Sequence, residues 1–296
     1  MKKVGVIGLG NMGIGLAKNV IKHGFACAGF DLRAERMELL KALGGRPADS
    51  PRQVGEHSDV VFIMVMNGQQ VLNVIEGEDG LLQSLTPGAT IILSATVEPR
   101  DARAVAQVLE GTGINLIDTP VSGGKSGADN GTLTLMAAAP KAVFEDNLDV
   151  LNAVGTKIFH VGEQAGMGQT VKASLQAFIG ASFTAIFESL VLGSKAGVSG
   201  QVLYDVFGAS GVGSPLFRNC AALIMDRKFE DTGSHIGTMY KDLGISMNLA
   251  RENGVSMFTA AAAYELFQAG LSTYPQGDNW SIVKLLEQIA DTEVKW

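Results

Sequence analysis

Val4-Gly5-Val6-Ile7, running directly into Gly8-Leu9-Gly10-Asn11-Met12-Gly13, is the stretch that decides the fold. Four residues of buried-strand character meet a Gly-x-Gly-x-x-Gly turn, and a helical pattern continues from about Asn11 to His23. In such a unit the glycines let backbone approach a pyrophosphate, which rests on the helix N-terminus among outward-pointing N–H groups. A lone motif of this kind is weak, so its context matters. Here a strand precedes it, a helix follows, and Asp31 closes the next strand, Ala26–Phe30, 18 residues beyond Gly13. A carboxylate there accepts hydrogen bonds from the adenine ribose and repels a 2′-phosphate, so NAD is expected rather than NADP. Arg33 nearby softens that preference, and the competing reading makes Asp31 a helix cap.

Outward from the fingerprint, strands and helices alternate. Val60-Val61-Phe62-Ile63-Met64-Val65 is a near-continuous apolar run, as a strand buried on both faces requires. Thr90–Leu93, Ile114–Ile117, Leu133–Ala137 and Ile158–Val161 read as further strands, separated by helical stretches such as Arg100–Glu110 and Pro140–Val154. After Gly162 only helical patterns rich in Ala, Leu and Met remain. The expected fold is α/β, with a doubly wound Rossmann domain over 1–163 followed by an all-helical domain over 164–296. A helix of about 167–196 opens the second domain and is too long for an ordinary one, so it bridges the two.

Composition narrows the function classes. The 296 residues allow a sizeable core in each domain, and 46% hydrophobic against 18% charged residues excludes disorder. A net charge of −7 argues against a nucleic-acid partner. Cys27 and Cys220 suit neither a disulfide framework nor a zinc site and read as small buried hydrophobes, so no metal is expected. Without a signal-peptide pattern, the cytoplasm is the expected compartment. The apolar run 177–193 contains Glu188 and is shorter than the ~20 residues a span needs, so a membrane role is not expected.

Lys172 is the candidate catalytic group. It sits in Thr170-Val171-Lys172-Ala173-Ser174-Leu175-Gln176, near the start of the bridging helix, in a pattern that packs on several sides. A buried ammonium loses hydration worth several kcal/mol, so a chain carries one mainly where chemistry uses it. Ligands favour clefts between domains, which such a helix adjoins. The alternative is a lysine whose stem runs along the helix to solvent.

Four segments in order resemble the β-hydroxyacid dehydrogenase family, which includes 3-hydroxyisobutyrate, tartronate semialdehyde and L-threonate dehydrogenases. They are Gly8-Leu9-Gly10-Asn11-Met12-Gly13, Asp118-Thr119-Pro120-Val121-Ser122-Gly123-Gly124, Gly168-Gln169-Thr170-Val171-Lys172 and Lys241-Asp242-Leu243, and they span nearly the whole chain. The resemblance implies that Lys172 is the acid/base, exchanging a proton with the substrate hydroxyl as hydride moves. An ordinary lysine, with a pKa of about 10.4, is a poor base at neutral pH, and burial or a second cation lowers it. The resemblance further assigns Ser122, Gly123 and Gly124 to the substrate carboxylate, whose capture suits a nest of N–H groups. It assigns Met66, Asn67 and Thr96 to the cofactor, and Lys241 to the cofactor or substrate.

One departure stands out. The family usually places Asn three residues after the lysine, where this chain has Leu175. Gln176, one helical turn beyond Lys172, is the expected substitute amide, and His235 is a second polar candidate that could equally be a capped loop histidine. The expected activity is NAD-dependent oxidation of a small hydroxy acid, such as the four-carbon sugar acid L-threonate. Alternatives are reduction of a small aldehyde acid of the tartronate or succinic semialdehyde type, with NAD(P)H, and a non-catalytic dinucleotide-binding protein. The partners expected are the small anionic substrate and further copies of the chain, as a homodimer or homotetramer.

Overall fold

A computed structural model describes all 296 residues. By contacts the chain divides into Met1–Lys172 and Ala173–Trp296, a line that falls inside the helix Met167–Lys195.

The first unit is built on one sheet of nine strands: β1 Lys3–Ile7, β2 Ala26–Phe30, β3 Arg46–Pro47, β4 Val60–Ile63, β5 Thr90–Leu93, β6 Asn115–Asp118, β7 Val121–Ser122, β8 Leu133–Ala138 and β9 Gly155–Gly162. The order is β3-β2-β1-β4-β5-β6-β8-β7, with β9 paired to β8. β1 to β6 are parallel, and β8 runs antiparallel to β6 and β7. This is the doubly wound arrangement expected, with the order of winding reversing between the parallel neighbours β1 and β4.

Alternation along the central strands explains their unbroken apolar sequences. Val4, Val6, Phe62, Ile92 and Ile117 join one core, while Ile7, Val61, Ile63, Ile91 and Leu93 join another on the opposite face. Each such side chain contributes about 1.5–3 kcal/mol relative to exposure. Leu16, Ala17 and Val20 of the helix Asn11–Lys22 pack into the first of these cores.

Two expectations needed correction. Pro140–Val154 is not one helix but two, Lys141–Asp146 and Leu148–Val154. They break at Asn147, whose backbone leaves helical geometry and whose side-chain amide bonds back to the Val143 carbonyl at 2.8 Å. The strand expected to reach Val65 ends at Ile63.

Ala173–Trp296 contains helices and one short 3-10 turn, Asn279–Ile282, with a core of Phe183, Phe187, Cys220, Leu243, Phe267 and Trp280. Phe183 meets Trp280 edge-on at 5.5 Å, and the indole N–H donates to Thr232 Oγ1 at 2.8 Å. At 29 residues, Met167–Lys195 is longer than the apolar run noted in sequence and is long and apolar enough to cross a membrane. Gln169, Lys172, Gln176 and Thr184 on it are buried polar side chains. Cys27 and Cys220 are both buried and unpaired.

Asp118, at the end of β6, is wholly buried. Burial pushes its carboxyl up to about 6, against the opposing pull of hydrogen bonds from Gln169 and from backbone N–H groups of Gly166, Gln169 and Gly168. An unfolded aspartate titrates near 3.9, so between about pH 4 and pH 6 the folded chain holds the extra proton. Stability contributed by Asp118 is therefore greatest near pH 4 and falls as pH rises through 6. Relative to Asp118→Asn, the parent is expected to lose on the order of 3 kcal/mol between pH 4 and pH 7. Urea titrations across that range, followed by circular dichroism, check this; a constant difference refutes it.

Candidate active site

Register assembles the site in the first unit. Phe30 pairs with Ile7, Ile7 with Ile63, Ile63 with Leu93, and Leu93 with Asp118. The segments that follow, beginning at Asp31, Gly8, Met64, Ser94 and Thr119, thus leave the sheet along one edge. That edge is the carboxyl end of the parallel strands, where open α/β sheets bind ligands.

Gly8 turns the chain out of β1 with φ of +87°, a left-handed conformation that favours glycine. Its N–H donates to the Phe30 carbonyl at 2.9 Å. Gly10 caps the helix Asn11–Lys22 without a side chain, and no side-chain oxygen occupies the first-turn donors. A Cβ on Gly10 would meet only the Arg33 guanidinium, at 3.7 Å. Room for a pyrophosphate against bare backbone is therefore present, and Leu9, Gly10, Asn11, Met12 and Gly13 can carry it.

Asp31 organises this turn. Its Oδ2 accepts from the Leu9 N–H at 2.8 Å, and its Oδ1 accepts from the N–H and Nε of Arg33 at 3.0 and 3.1 Å. Arg33 Nη2 also donates to Oδ2 at 3.3 Å. Burial opposes the charge on Asp31, but the hydrogen bonds from Arg33 and Leu9 outweigh it and hold the carboxyl below its ordinary value. A carboxylate offers about four acceptor positions. Ribose hydroxyls would therefore replace the two guanidinium contacts, and Arg33, half exposed, has the freedom to yield them.

After β4, Met66 is exposed and its N–H donates to Gln70 Oε1 at 2.9 Å. Asn67 caps the helix Gly68–Glu76, accepting from the Gln70 N–H at 2.9 Å. Thr96, after β5, is half buried. Ser122 ends β7, and Gly123 and Gly124 follow with φ of +129° and +59°, opening the helix Gly124–Asn130 without a side-chain cap. Two positive-φ glycines beside a helix start leave this turn without Cβ atoms, so its backbone is open to close approach.

Lys172 is the sixth residue of Met167–Lys195 and is only 6% exposed. The start of its helix is stitched to the sheet edge. Asp118 Oδ2 accepts from the Gly166 and Gln169 N–H groups at 2.8 and 3.3 Å. Asp118 Oδ1 accepts from Gln169 Nε2 at 2.8 Å, and the same amide bonds Ala95 O and Val97 N, each at 3.1 Å.

In the second unit, Gln176 Nε2 donates to Asp242 Oδ2 at 2.7 Å, and Lys241 Nζ lies 3.0 Å from Asp242 Oδ1. Lys241 is half buried beside a buried carboxylate. His235 is exposed and accepts the Gly237 N–H at Nδ1, 3.0 Å away, as the cap of the helix Ile236–Glu252. Asp118, Gln169 and Asp242 were not anticipated, although each lies in a segment already singled out by motif.

Two family models cover the chain. Residues 3–162 match the NAD-binding domain of 6-phosphogluconate dehydrogenase, and residues 166–286 match the NAD-binding region of NADP-dependent 3-hydroxyisobutyrate dehydrogenase. The chain is 34% identical over 289 residues to an L-threonate dehydrogenase of Cupriavidus necator, covering 97% of each. It is 32% identical over 294 residues to 2-(hydroxymethyl)glutarate dehydrogenase of Eubacterium barkeri, covering 99% of this chain and 97% of that one. Among solved structures, 3-hydroxyisobutyrate dehydrogenase of Mycobacterium tuberculosis with L-serine superposes with a TM-score of 0.88 at 27% identity, covering 97% of this chain and 99% of that one.

Proposed function

The chain belongs to the β-hydroxyacid dehydrogenase family, and from that premise we propose that it oxidises a small hydroxy acid of the L-threonate kind with NAD. The observation that carries this reading is a buried lysine, Lys172, on a helix whose first turn is bonded to the sheet edge that also bears the fingerprint. L-threonate is favoured by the L-threonate dehydrogenases among the relatives.

NAD, when bound, supplies the hydride acceptor. Lys172, as a neutral amine, removes the hydroxyl proton from the carbon that loses hydride, and in reverse its ammonium protonates the alkoxide. The N–H groups at Ser122, Gly123 and Gly124 hold the substrate carboxylate, which fixes the reacting carbon and supplies much of the rate through orientation. Gln176 contributes an amide to the substrate where Leu175 contributes none. Lys241, held by Asp242, adds positive charge for an anionic ligand. Asp31 binds the adenine ribose and selects against the 2′-phosphate.

The test is reduction of NAD and of NADP with a panel of L-threonate, 3-hydroxyisobutyrate, 2-(hydroxymethyl)glutarate and glycerate. The highest kcat/KM is expected for L-threonate with NAD, and a panel without turnover in either direction refutes the reading. In Asp31→Asn, loss of the negative charge beside Arg33 should lower the NAD over NADP preference by about tenfold or more. An unchanged ratio would remove Asp31 from cofactor selection.

A further inference from the structure

The Gln169 side chain has three bonding partners in two separate segments. Its amide pairs with the backbone on either side of Thr96, accepting from Val97 N and donating to Ala95 O, as a neighbouring strand would. The same nitrogen reaches Asp118 Oδ1. Asp118 in turn receives N–H groups of Gly166 and Gln169 at the start of the lysine-bearing helix, so a carboxylate from β6 caps a helix that begins 49 residues later. Helix N-termini favour negative charge, and charge-assisted bonds are shorter and stronger than neutral ones. Contact is close: a Cβ on Gly168 would fall 2.5 Å from the Asp118 carbonyl oxygen and 2.6 Å from that of Met136. Both side chains are buried.

Gln169 precedes Lys172 by three residues, so the two lie on the same side of the helix, separated by about 4.5 Å along its axis. Whatever fixes the rotation and height of Gln169 fixes those of Lys172. We propose that Asp118 and Gln169 form a positioning pair that sets Lys172 against the Thr96 loop. Neither residue exchanges a proton with substrate. Their role is to hold the lysine helix and the loop after β5 in one register, so that the amine meets the reacting hydroxyl in a single geometry. The pair rests on the reading of Lys172 as the acid/base.

Gln169→Leu keeps the volume and removes all three amide bonds. In the full-length enzyme, at a temperature where circular dichroism shows it fully folded, kcat is expected to fall by about 10- to 100-fold, the cost of misplacing a catalytic group by about 1 Å. The KM for NAD should stay within about threefold, since the fingerprint is untouched. The limb of the kcat/KM pH profile that reports the base should move by about half a pH unit, which a loss of folded protein alone does not produce. Hydrogen exchange should accelerate in peptides covering 164–174 and not in those covering the fingerprint. Should Gln169→Leu fail to fold, Gln169→Asn, which keeps an amide but shortens its reach, carries the same readouts.

A folded variant with kcat within about twofold of the parent overturns the pair, as does a fall in kcat with an unmoved pH limb. Lys172→Ala separates the two ideas. If it retains full turnover, the acid/base reading fails and the pair fails with it. If it is inactive while Gln169→Leu is fully active, only the pair fails.

Discussion

Lys172→Ala is expected to lower kcat by about 10³-fold or more with L-threonate, while the Kd for NAD changes by no more than about threefold. The asymmetry follows from where the residue sits. Lys172 belongs to the helix that starts at Met167, whereas the fingerprint turn, its Asp31 carboxylate and the helix Asn11–Lys22 make their hydrogen bonds without it. Removing a buried amine leaves a small cavity, so part of the loss could come from local collapse. Lys172→Met, which refills the volume without a titratable group, separates the effects: an equally inactive Met variant assigns the loss to the proton. Stopped-flow hydride transfer and NAD titration by fluorescence are the measurements. Equal turnover in parent and variant would remove Lys172 from the mechanism.

Gly13→Ala and Gly10→Ala should fail in different ways. A Cβ at Gly13 would lie 1.8 Å from the Gly8 carbonyl oxygen and 2.9 Å from its carbon. Both are backbone atoms, and Gly8 is itself held at positive φ with Met64 O close behind it, so nothing there can move aside cheaply. Gly13→Ala is expected to cost about 3 kcal/mol or more, visible as a lower urea midpoint or as insoluble protein. Gly10 has no such neighbour. Gly10→Ala should retain the parent's stability and lose NAD affinity by about tenfold or more, because the methyl group stands where pyrophosphate meets backbone. Equal stability for both variants would show the turn to be more pliant than its geometry indicates.

Much of the architecture was readable because it rests on local periodicity. The unbroken apolar run at Val60–Ile63 reflects alternate burial in two cores, and the fingerprint stands where strand, turn and helix meet. Short edges carried no comparable mark: β3 and β7 have two residues each, too few for any period. Asn147 broke an expected helix through a side-chain bond to the backbone four residues before it, a choice that propensity leaves open. The site divided along the same line. Glycines and Asp31 announce themselves by spacing, and Lys172 by an ionic group in an apolar stretch. The Asp118–Gln169 link joins residues 51 apart, and the pairing of Gln176 with Asp242 joins residues 66 apart. Contacts of that span are set by topology, and no window along the chain contains both partners.

The two thiols have a practical consequence. Burial pushes Cys27 up to about 12 and raises Cys220 as well, so neither supplies the thiolate through which cysteine reacts. The natural chain is thus expected to be silent toward maleimides and mild oxidants while folded, as thiol titration of native and denatured protein would check. A cysteine introduced on its surface becomes a lone attachment point for a spin label or dye, with no prior removal of native sulfur.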